Sequence, residues 1–352
     1  MKILFSVGHP AHVHLLKFPA KILSERGHDV RFAAIRKEMT LELLGLLGID
    51  YEIVGTSHRT MLMKSLDMVG KDYRLVKLIK DEEFDIVVSA GIPYASQAAK
   101  LRGIPSIAFF DTEVSKFVLR TLLPFVSTIC TPSCFTEDLG PKQVRYNGYH
   151  EMAYLHPKYF TPDSSILEHV GLDRDETFTL SRFSSADSSH DIGWSGFQFR
   201  SPAEAASFFS AIEEKSRVFL TSEHPLPREL EKYRLDIPFH KVHDLLAFAS
   251  LYIGEGATLA SEAGVLGVPW IFVSTMSRGY LDDQEKNYGL GFVVSNKADA
   301  EKKAIELIEC DDLREEWKVK REKLLSEKID VTDFAVRFIE DWPDSFAHAK
   351  GS

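Results

Sequence analysis

A glycine-bounded turn between an apolar strand and a helix most limits how this chain can fold. It lies in Ile253–Pro269, which reads IGEGATLASEAGVLGVP. Leu251–Ile253 is predicted as a buried strand, Gly254-Glu255-Gly256 as the turn, and the following residues as a helix ended by Gly267, with Trp270–Val273 as the next strand. At such a turn, glycine lets a phosphate come close, and the free N–H groups and helix dipole can hold it. Ala257 opens the helix, Thr258 and Ser261 add hydroxyls, and Glu262 stands one turn in, within reach of a ribose or sugar hydroxyl. The same pattern also fits an ordinary strand–turn–helix of an α/β domain.

The N-terminus carries a second unit of this kind. Ile3–Val7 reads as a buried strand, and Gly8 opens a loop with His9, Pro10, His12 and His14. Leu15, Leu16, Phe18, Ile22 and Leu23 then recur at helical spacing, with Gly27 as a left-handed cap and Asp29–Ala34 as the next strand. A β-loop-α-β start puts the loop at the carboxyl end of the first strand, where open α/β sheets bind ligands.

Strand and helix alternate from there. The pattern predicts a helix near Met39–Leu47, a strand at Tyr51–Val54, a helix at Lys71–Lys80, a strand at Asp85–Ser89 and a helix at Tyr94–Leu101. Strand Ser106–Phe110 ends on Asp111-Thr112-Glu113; strand Thr128–Thr131, a helix start and strand Val144–Asn147 follow. Gly148–Asp163, with Tyr149-His150-Glu151, breaks the alternation and marks a domain boundary. The second half restarts with strand Thr177–Leu180, helix Pro202–Lys215, strand Arg217–Leu220 and a short helix at Asp244–Phe248. Helices Glu301–Cys310 and Asp312–Glu327 come later, the last rich in Lys and Glu, with an apolar side available to pack back on the N-terminal domain. Apolar, β-branched strands alternating with helices imply parallel sheets covered on both faces. The expected domains are 1–150, 151–330 and a closing helix or tail at 331–352 that packs on the first.

Composition excludes several classes. A net charge of −10 over 352 residues argues against nucleic acid as partner. Three cysteines, Cys130, Cys134 and Cys310, form no metal-ligand pattern. No secretory signal is evident, and no apolar run reaches the roughly 20 residues of a membrane span, so the expected location is cytoplasmic. Phe117–Val126 is apolar with one basic residue and reads as a buried helix or a peripheral membrane contact. Ser6-Val7-Gly8-His9-Pro10 lacks the G-x-G-x-x-G of dinucleotide dehydrogenases. Beyond the first strand of the second half, Arg182 could neutralise a phosphate. His190 and Asp191 could orient a sugar or its leaving oxygen; they have no metal-ligand partners at recognisable spacing.

These two loops on this alternation resemble the GT-B superfamily of nucleotide-sugar enzymes. Its members include the lipid II-forming N-acetylglucosaminyltransferase and the non-hydrolysing UDP-N-acetylglucosamine 2-epimerase. More closely, the chain is similar to domain-of-unknown-function family 354, a GT-B-like group. The matching pieces are His12-Val13-His14, Phe110–Glu113, Ser189–Gly193, Glu223–Pro227, His243–Leu246 and Gly254–Ala263. Glu255 and Ala257 stand where the family is expected to carry Asp and Gly; the first keeps the charge and the second removes backbone freedom.

The resemblance implies an α/β, GT-B-like fold of two doubly wound, Rossmann-like parallel-sheet domains facing a central cleft. It implies a glycosyltransferase moving a sugar from a nucleotide diphosphate donor to a glycan or lipid-linked acceptor in cell-envelope or polysaccharide synthesis, with no metal and no cofactor. Gly254, Glu255, Gly256, Ala257, Thr258 and Ser261 would line the diphosphate, Glu262 would take the ribose, and His243 and Asp244 would sit near the base or its ribose. Glu223 and His224 would help close the base pocket. From the first domain, Gly8 and His9 would face the acceptor, and one of His9, His12, His14, Asp111 and Glu113 would be the base; from the second domain, His190 would act at the sugar. A UDP-sugar 2-epimerase, which needs carboxylates and histidines around the sugar ring, and a non-catalytic nucleotide-sugar binding protein remain open on the same residues.

Overall fold

The computed structural model describes residues 1–37, 39–56, 61–173, 175–183, 196–222 and 225–351. The chain forms two compact units. Unit 1 is Met1–Tyr154 with Ile329–Ser352, and unit 2 is Leu155–Lys328.

Unit 1 is built on seven strands: β1 Lys2–Val7, β2 Asp29–Arg36, β3 Tyr51–Thr56, β4 Ile86–Ser89, β5 Ser106–Phe109, β6 Thr128–Pro132 and β7 Gln143–Tyr146. Their order across the sheet is β3-β2-β1-β4-β5-β6-β7, and every pairing is parallel. Strands β4, β5 and β6 are buried along their whole length. That burial needs cover on both faces, which is why their sequences run apolar rather than alternating. On one face Leu4, Ala33, Val54 and Val87 pack with Leu75 and Ile79 of helix Met61–Glu82 and Ala95 and Ala98 of helix Pro93–Arg102.

Helix Pro10–Glu25 starts with proline at its first turn, where the fixed φ suits and the missing N–H costs nothing. It therefore begins before His12 and His14. Both are helical residues, and only His9 stays in the loop as N-cap. Helix Pro10–Glu25 packs with helix Val331–Glu340. That returning segment is tied in by Ile329 N donating to Asn147 O (2.8 Å), Thr332 Oγ1 to Ala153 O (2.7 Å), and Trp342 Nε1 to Thr128 Oγ1 (3.2 Å). Glu340 pairs with Arg26 and with His28 at 3.0 Å.

One local expectation needs correction. No helix joins β6 to β7: residues 133–142 are turns. Side chains satisfy that backbone instead, Gln143 accepting from Leu139 N (2.9 Å) and Arg145 donating to Ser133 O (3.3 Å) and Glu137 O (2.7 Å). Helix Leu313–Glu327 is in unit 2. Trp317 Nε1 donates to Leu290 O (2.7 Å) and Arg321 Nε to Val265 O (2.9 Å).

Unit 2 has five strands: β8 Phe178–Phe183, β9 Arg217–Ser222, β10 Leu251–Gly254, β11 Trp270–Val273 and β12 Gly291–Val294. The order is β12-β11-β10-β8-β9, again all parallel. Strand β12 was not anticipated from the sequence. Among the described residues no helix is long and apolar enough to cross a membrane.

Each sheet reverses its winding once. In unit 1 the chain winds from β1 out to β3 and then places β4 on the other side of β1. In unit 2 it goes from β8 to β9 and then places β10 on the other side of β8. A crevice opens at the carboxyl ends of strands at such a reversal. Gly8 leaves β1 at one reversal, and Arg182 and Gly254, register partners on β8 and β10, end at the other.

Helix Ala257–Leu266 is held by an unusually close contact at Gly264. A Cβ there would lie 2.0 Å from Gln284 Oε1 and 2.8 Å from Trp270 Nε1, which hydrogen-bond each other at 3.0 Å. Alanine gains about 1 kcal/mol of helix propensity over glycine. Overpacking and a broken buried hydrogen bond outweigh it. Gly264→Ala should therefore lower unfolding free energy by about 1–3 kcal/mol in urea titration, where propensity alone would raise it.

Candidate functional site

In unit 2 the turn 254–256 is shaped from below. Tyr252, at the buried centre of β10, donates its hydroxyl to Gly256 O (3.1 Å). A Cβ on Gly254 would meet that hydroxyl at 2.7 Å and Arg182 O at 2.9 Å. A Cβ on Gly256 would lie 3.1 Å from Arg182 Cδ, so the arginine stem runs beside the turn. Gly256 is the N-cap of helix Ala257–Leu266, in extended conformation and with no side-chain cap. The first N–H groups of a helix have no partner within it. Ala257 and Thr258 are in that first turn, and Thr258 is exposed. A helix dipole end, glycines and the stem of an arginine converge here, which is an arrangement for an anion.

The other predicted residues of this region are placed differently. Ser261 is fully buried, and its hydroxyl accepts from Gln284 Nε2 (2.8 Å), so it packs under the helix rather than at its N-terminus. Glu255 accepts from Phe197 N (2.9 Å) and fastens the chain beyond residue 195. Asp244 accepts from Asp163 N (2.9 Å) and lies 3.4 Å from Lys241. Glu262 and His243 meet at 2.9 Å, both buried, the ring Nε2 against the carboxylate. His190, Asp191, Glu223 and His224 lie outside the described residues.

In unit 1 the carboxyl edge gathers residues from four strands. His12 Nδ1 accepts the Gly8 N–H (3.3 Å), and His9 Nδ1 accepts from Ala11 N (3.2 Å). The His9 and His12 rings lie 5.9 Å apart. His14, two positions on along the helix, points elsewhere: its ring is 5.2 Å from that of Tyr154 and its Nδ1 is 3.4 Å from Lys17 Nζ. A period of 3.6 separates residues two apart, so His12 and His14 do not share a face. Glu113 accepts from Thr136 N (3.3 Å).

Asp111 is the centre of the edge. Its Oδ1 accepts from Thr112 Oγ1 (2.8 Å), and its Oδ2 lies 3.0 Å from Nδ1 of His150. Burial would raise this carboxyl, but the His150 ring, as charge and as hydrogen bond, outweighs it and holds Asp111 below its ordinary value. Burial first, then His9 and Lys37, brings His12 down to about 3. His150 is the site residue that sequence reasoning missed. Its signal was the polar triple Tyr149-His150-Glu151 just past β7, at the same carboxyl edge that drew attention to Gly8 and Asp111.

Residues 1–194 match a family described as "Protein of unknown function (DUF354)". No curated protein sequence matches the chain. Several solved structures share its fold. The S. aureus MnaA–UDP co-structure is 16% identical, covering 98% of each chain, with a TM-score of 0.71. UDP-GlcNAc 2-epimerase from Neisseria meningitidis bound to UDP-GlcNAc is 12% identical, covering 99% of this chain and 100% of that one, at 0.65. The glycosyltransferase VinC in complex with dTDP is 12% identical over 100% of both chains, at 0.62. At these identities the likeness is one of fold: two parallel-sheet α/β units of GT-B type.

The depressed His12 sets an expectation for acid stability. Its folded value of about 3 lies below the usual 6.5, so between these values the unfolded chain binds the proton and the folded one does not. Stability is then full above pH 6.5 and falls as pH drops towards 3, by at most about 1.4 kcal/mol per pH unit for one proton. Urea titrations at pH 6.5 and 4.5 should show a smaller acid loss for His12→Asn than for the wild type.

Proposed function

The chain belongs to the DUF354 family, and on that premise we propose that it is a GT-B-type glycosyltransferase that moves a sugar from a nucleotide diphosphate donor to a glycan or lipid-linked acceptor without a bound metal or cofactor. The observation that carries this reading is the 254–256 turn: an uncapped helix N-terminus beside Arg182 at the reversal of the unit 2 sheet. Donor cleavage leaves a diphosphate bearing the electron pair of the broken bond. Fixed N–H dipoles and a guanidinium stabilise that charge without reorganising. The Glu262–His243 pair, one helical turn further in, supports ribose recognition, because a carboxylate oriented by an imidazole can accept from a hydroxyl. Solved relatives of this fold are named with UDP, UDP-GlcNAc and dTDP, which supports a nucleoside diphosphate as the shared portion of the donor.

UDP is the first probe. At 100 times its Kd it should stabilise the protein by about 2.7 kcal/mol, read as a rise in thermal midpoint. Arg182→Ala should weaken UDP at least about tenfold by calorimetry, the size of one charge-assisted hydrogen bond. Gly256→Val should abolish binding while the circular dichroism spectrum stays that of the wild type. A folded Gly256→Val that binds UDP as the wild type does would remove the turn from the site.

The reaction class is read from the sugar. A transferase releases nucleoside diphosphate when an acceptor is added and leaves the donor's ring configuration unchanged in its absence. Proton NMR of UDP-N-acetylglucosamine with the enzyme alone should show no stereochemical inversion. Inversion at constant nucleotide-sugar concentration would make the protein an epimerase.

A further inference from the structure

The turn 254–256 of unit 2 carries a carboxylate between its two glycines, a group that an anion would meet as a like charge. Glu255 Oε1 accepts the Phe197 N–H at 2.9 Å. A Cβ on Gly196 would lie 2.0 Å from the same oxygen, so the side chain is pressed against the Gly196-Phe197 backbone. That backbone is itself held within unit 2. Phe197 is buried, stacks on Phe199 (5.0 Å, planes 13° apart) and meets Phe208 of helix Pro202–Glu213 edge-on at 5.1 Å. Lys297 Nζ donates to Gln198 O (3.4 Å) and pairs with Glu204 (2.7 Å). To swing away, the Glu255 carboxylate would have to give up a charge-assisted hydrogen bond, so it stays beside the turn when an anion arrives.

Charges of both signs act at this turn. The Tyr252 hydroxyl beneath it, hydrogen-bonded to Gly256 O, lies in the field of the Arg182 guanidinium and of the Glu255 and Glu262 carboxylates. Glu262 has the His243 ring against it at 2.9 Å. Arg182 and the first N–H groups of helix Ala257–Leu266 attract an anion, and Glu255 repels it. Such a balance sorts anions by the number of charges they carry. A sugar diphosphate ester has one negative charge on each phosphate. A free nucleoside diphosphate gains a third, on its terminal phosphate, when that group loses its second proton at about pH 6.

We propose that Glu255 makes the turn selective for the singly charged phosphates of a sugar diphosphate over the doubly charged terminal phosphate of a free nucleoside diphosphate. This rests on the glycosyltransferase reading above, and only on its nucleotide diphosphate donor. Arg182 and the helix N-terminus serve both ligands, and the third charge is the one that Glu255 opposes. A unit charge about 7 Å away, the reach of one extended glutamate, changes affinity about threefold even at the dielectric of water. The third charge is complete only once the sugar has left, so the repulsion falls hardest on the product. The turn therefore favours the donor over the nucleoside diphosphate that the donor becomes. Glu255 sets this preference by charge rather than by shape.

The test uses the full chain with two probes, UDP and the methyl ester of UDP on its terminal phosphate, without divalent cations. The ester has the charge of a sugar diphosphate and no sugar. By calorimetry at pH 7.5, the wild type should bind the ester at least about threefold more tightly than UDP. At pH 5.0, where UDP also carries two charges, the two affinities should converge. Glu255→Gln keeps an oxygen for the Phe197 N–H and loses the charge. At pH 7.5 it should tighten UDP at least about threefold more than it tightens the ester. Glu255→Asp keeps the charge and should keep the preference for the ester, which separates charge from backbone support. A wild type that binds UDP as tightly as the ester at pH 7.5 overturns the proposal. So does a Glu255→Gln variant that retains the preference, or a Glu255→Asp variant that loses it. If the wild type binds neither probe at either pH, the nucleotide-donor reading fails and this proposal falls with it.

Discussion

Parallel pairing is the constraint on which the rest depends. When every strand of a sheet runs the same way, every strand delivers its carboxyl end to one edge, and the helices that return the chain cover both faces. The faces are then committed to apolar burial, as in β4, β5 and β6. Polar chemistry has only the edge to occupy. Residues far apart in sequence meet there for no other reason: Gly8 after β1, Asp111 after β5 and His150 after β7 share an edge because their strands share a direction. The reversal of winding opens that edge, once between β1 and β4 and once between β8 and β10.

The fold was legible because it is written locally. Apolar strands, glycine stops and helical spacing fix most elements, and the Gly8 and 254–256 turns announce themselves as strand–glycine–helix junctions. Strand β12 was missed although Gly291-Phe292-Val293-Val294 carries an ordinary strand composition between glycine and a helix cap. The site was only partly legible, because its side chains are decided by partners distant in sequence. Ser261 and Thr258 look alike in sequence, both hydroxyls near a helix start. One is buried because Gln284, 23 residues on, reaches its oxygen. The other is exposed. His12 and His14 look equivalent until Pro10 starts the helix early and sends them to different faces. His150 could not be singled out without knowing that β7 lies two strands from β5, which is a fact of sheet order rather than of spacing.

Several buried polar groups inside unit 2 hold one another in place. Gln284 joins Ser261 to Trp270, and Trp317 closes on Leu290 O. Buried amides and indoles that are satisfied set geometry more firmly than apolar contacts do, because each loses its bond if it turns. The helix whose N-terminus meets Arg182 is therefore fixed in rotation by Gln284 and the contact at Gly264, not only pressed against the sheet. A loosely seated helix would smear the directions of its first N–H groups.

The return of Ile329–Ser352 to unit 1 has a consequence for how the molecule is made. Unit 2 is one continuous stretch of chain inserted within unit 1. As the polypeptide is synthesised, domains fold as units, in general from the N-terminus. Here the order is reversed in part. The first 154 residues emerge with the helix Pro10–Glu25 still lacking the neighbour Val331–Glu340 that packs on it. Unit 2 has its whole sequence before that neighbour exists. The N-terminal sheet must wait, partly uncovered, while the later unit forms, and it is completed only when residues 329–352 have left the ribosome. Of the two units, the one begun earlier is the one finished later.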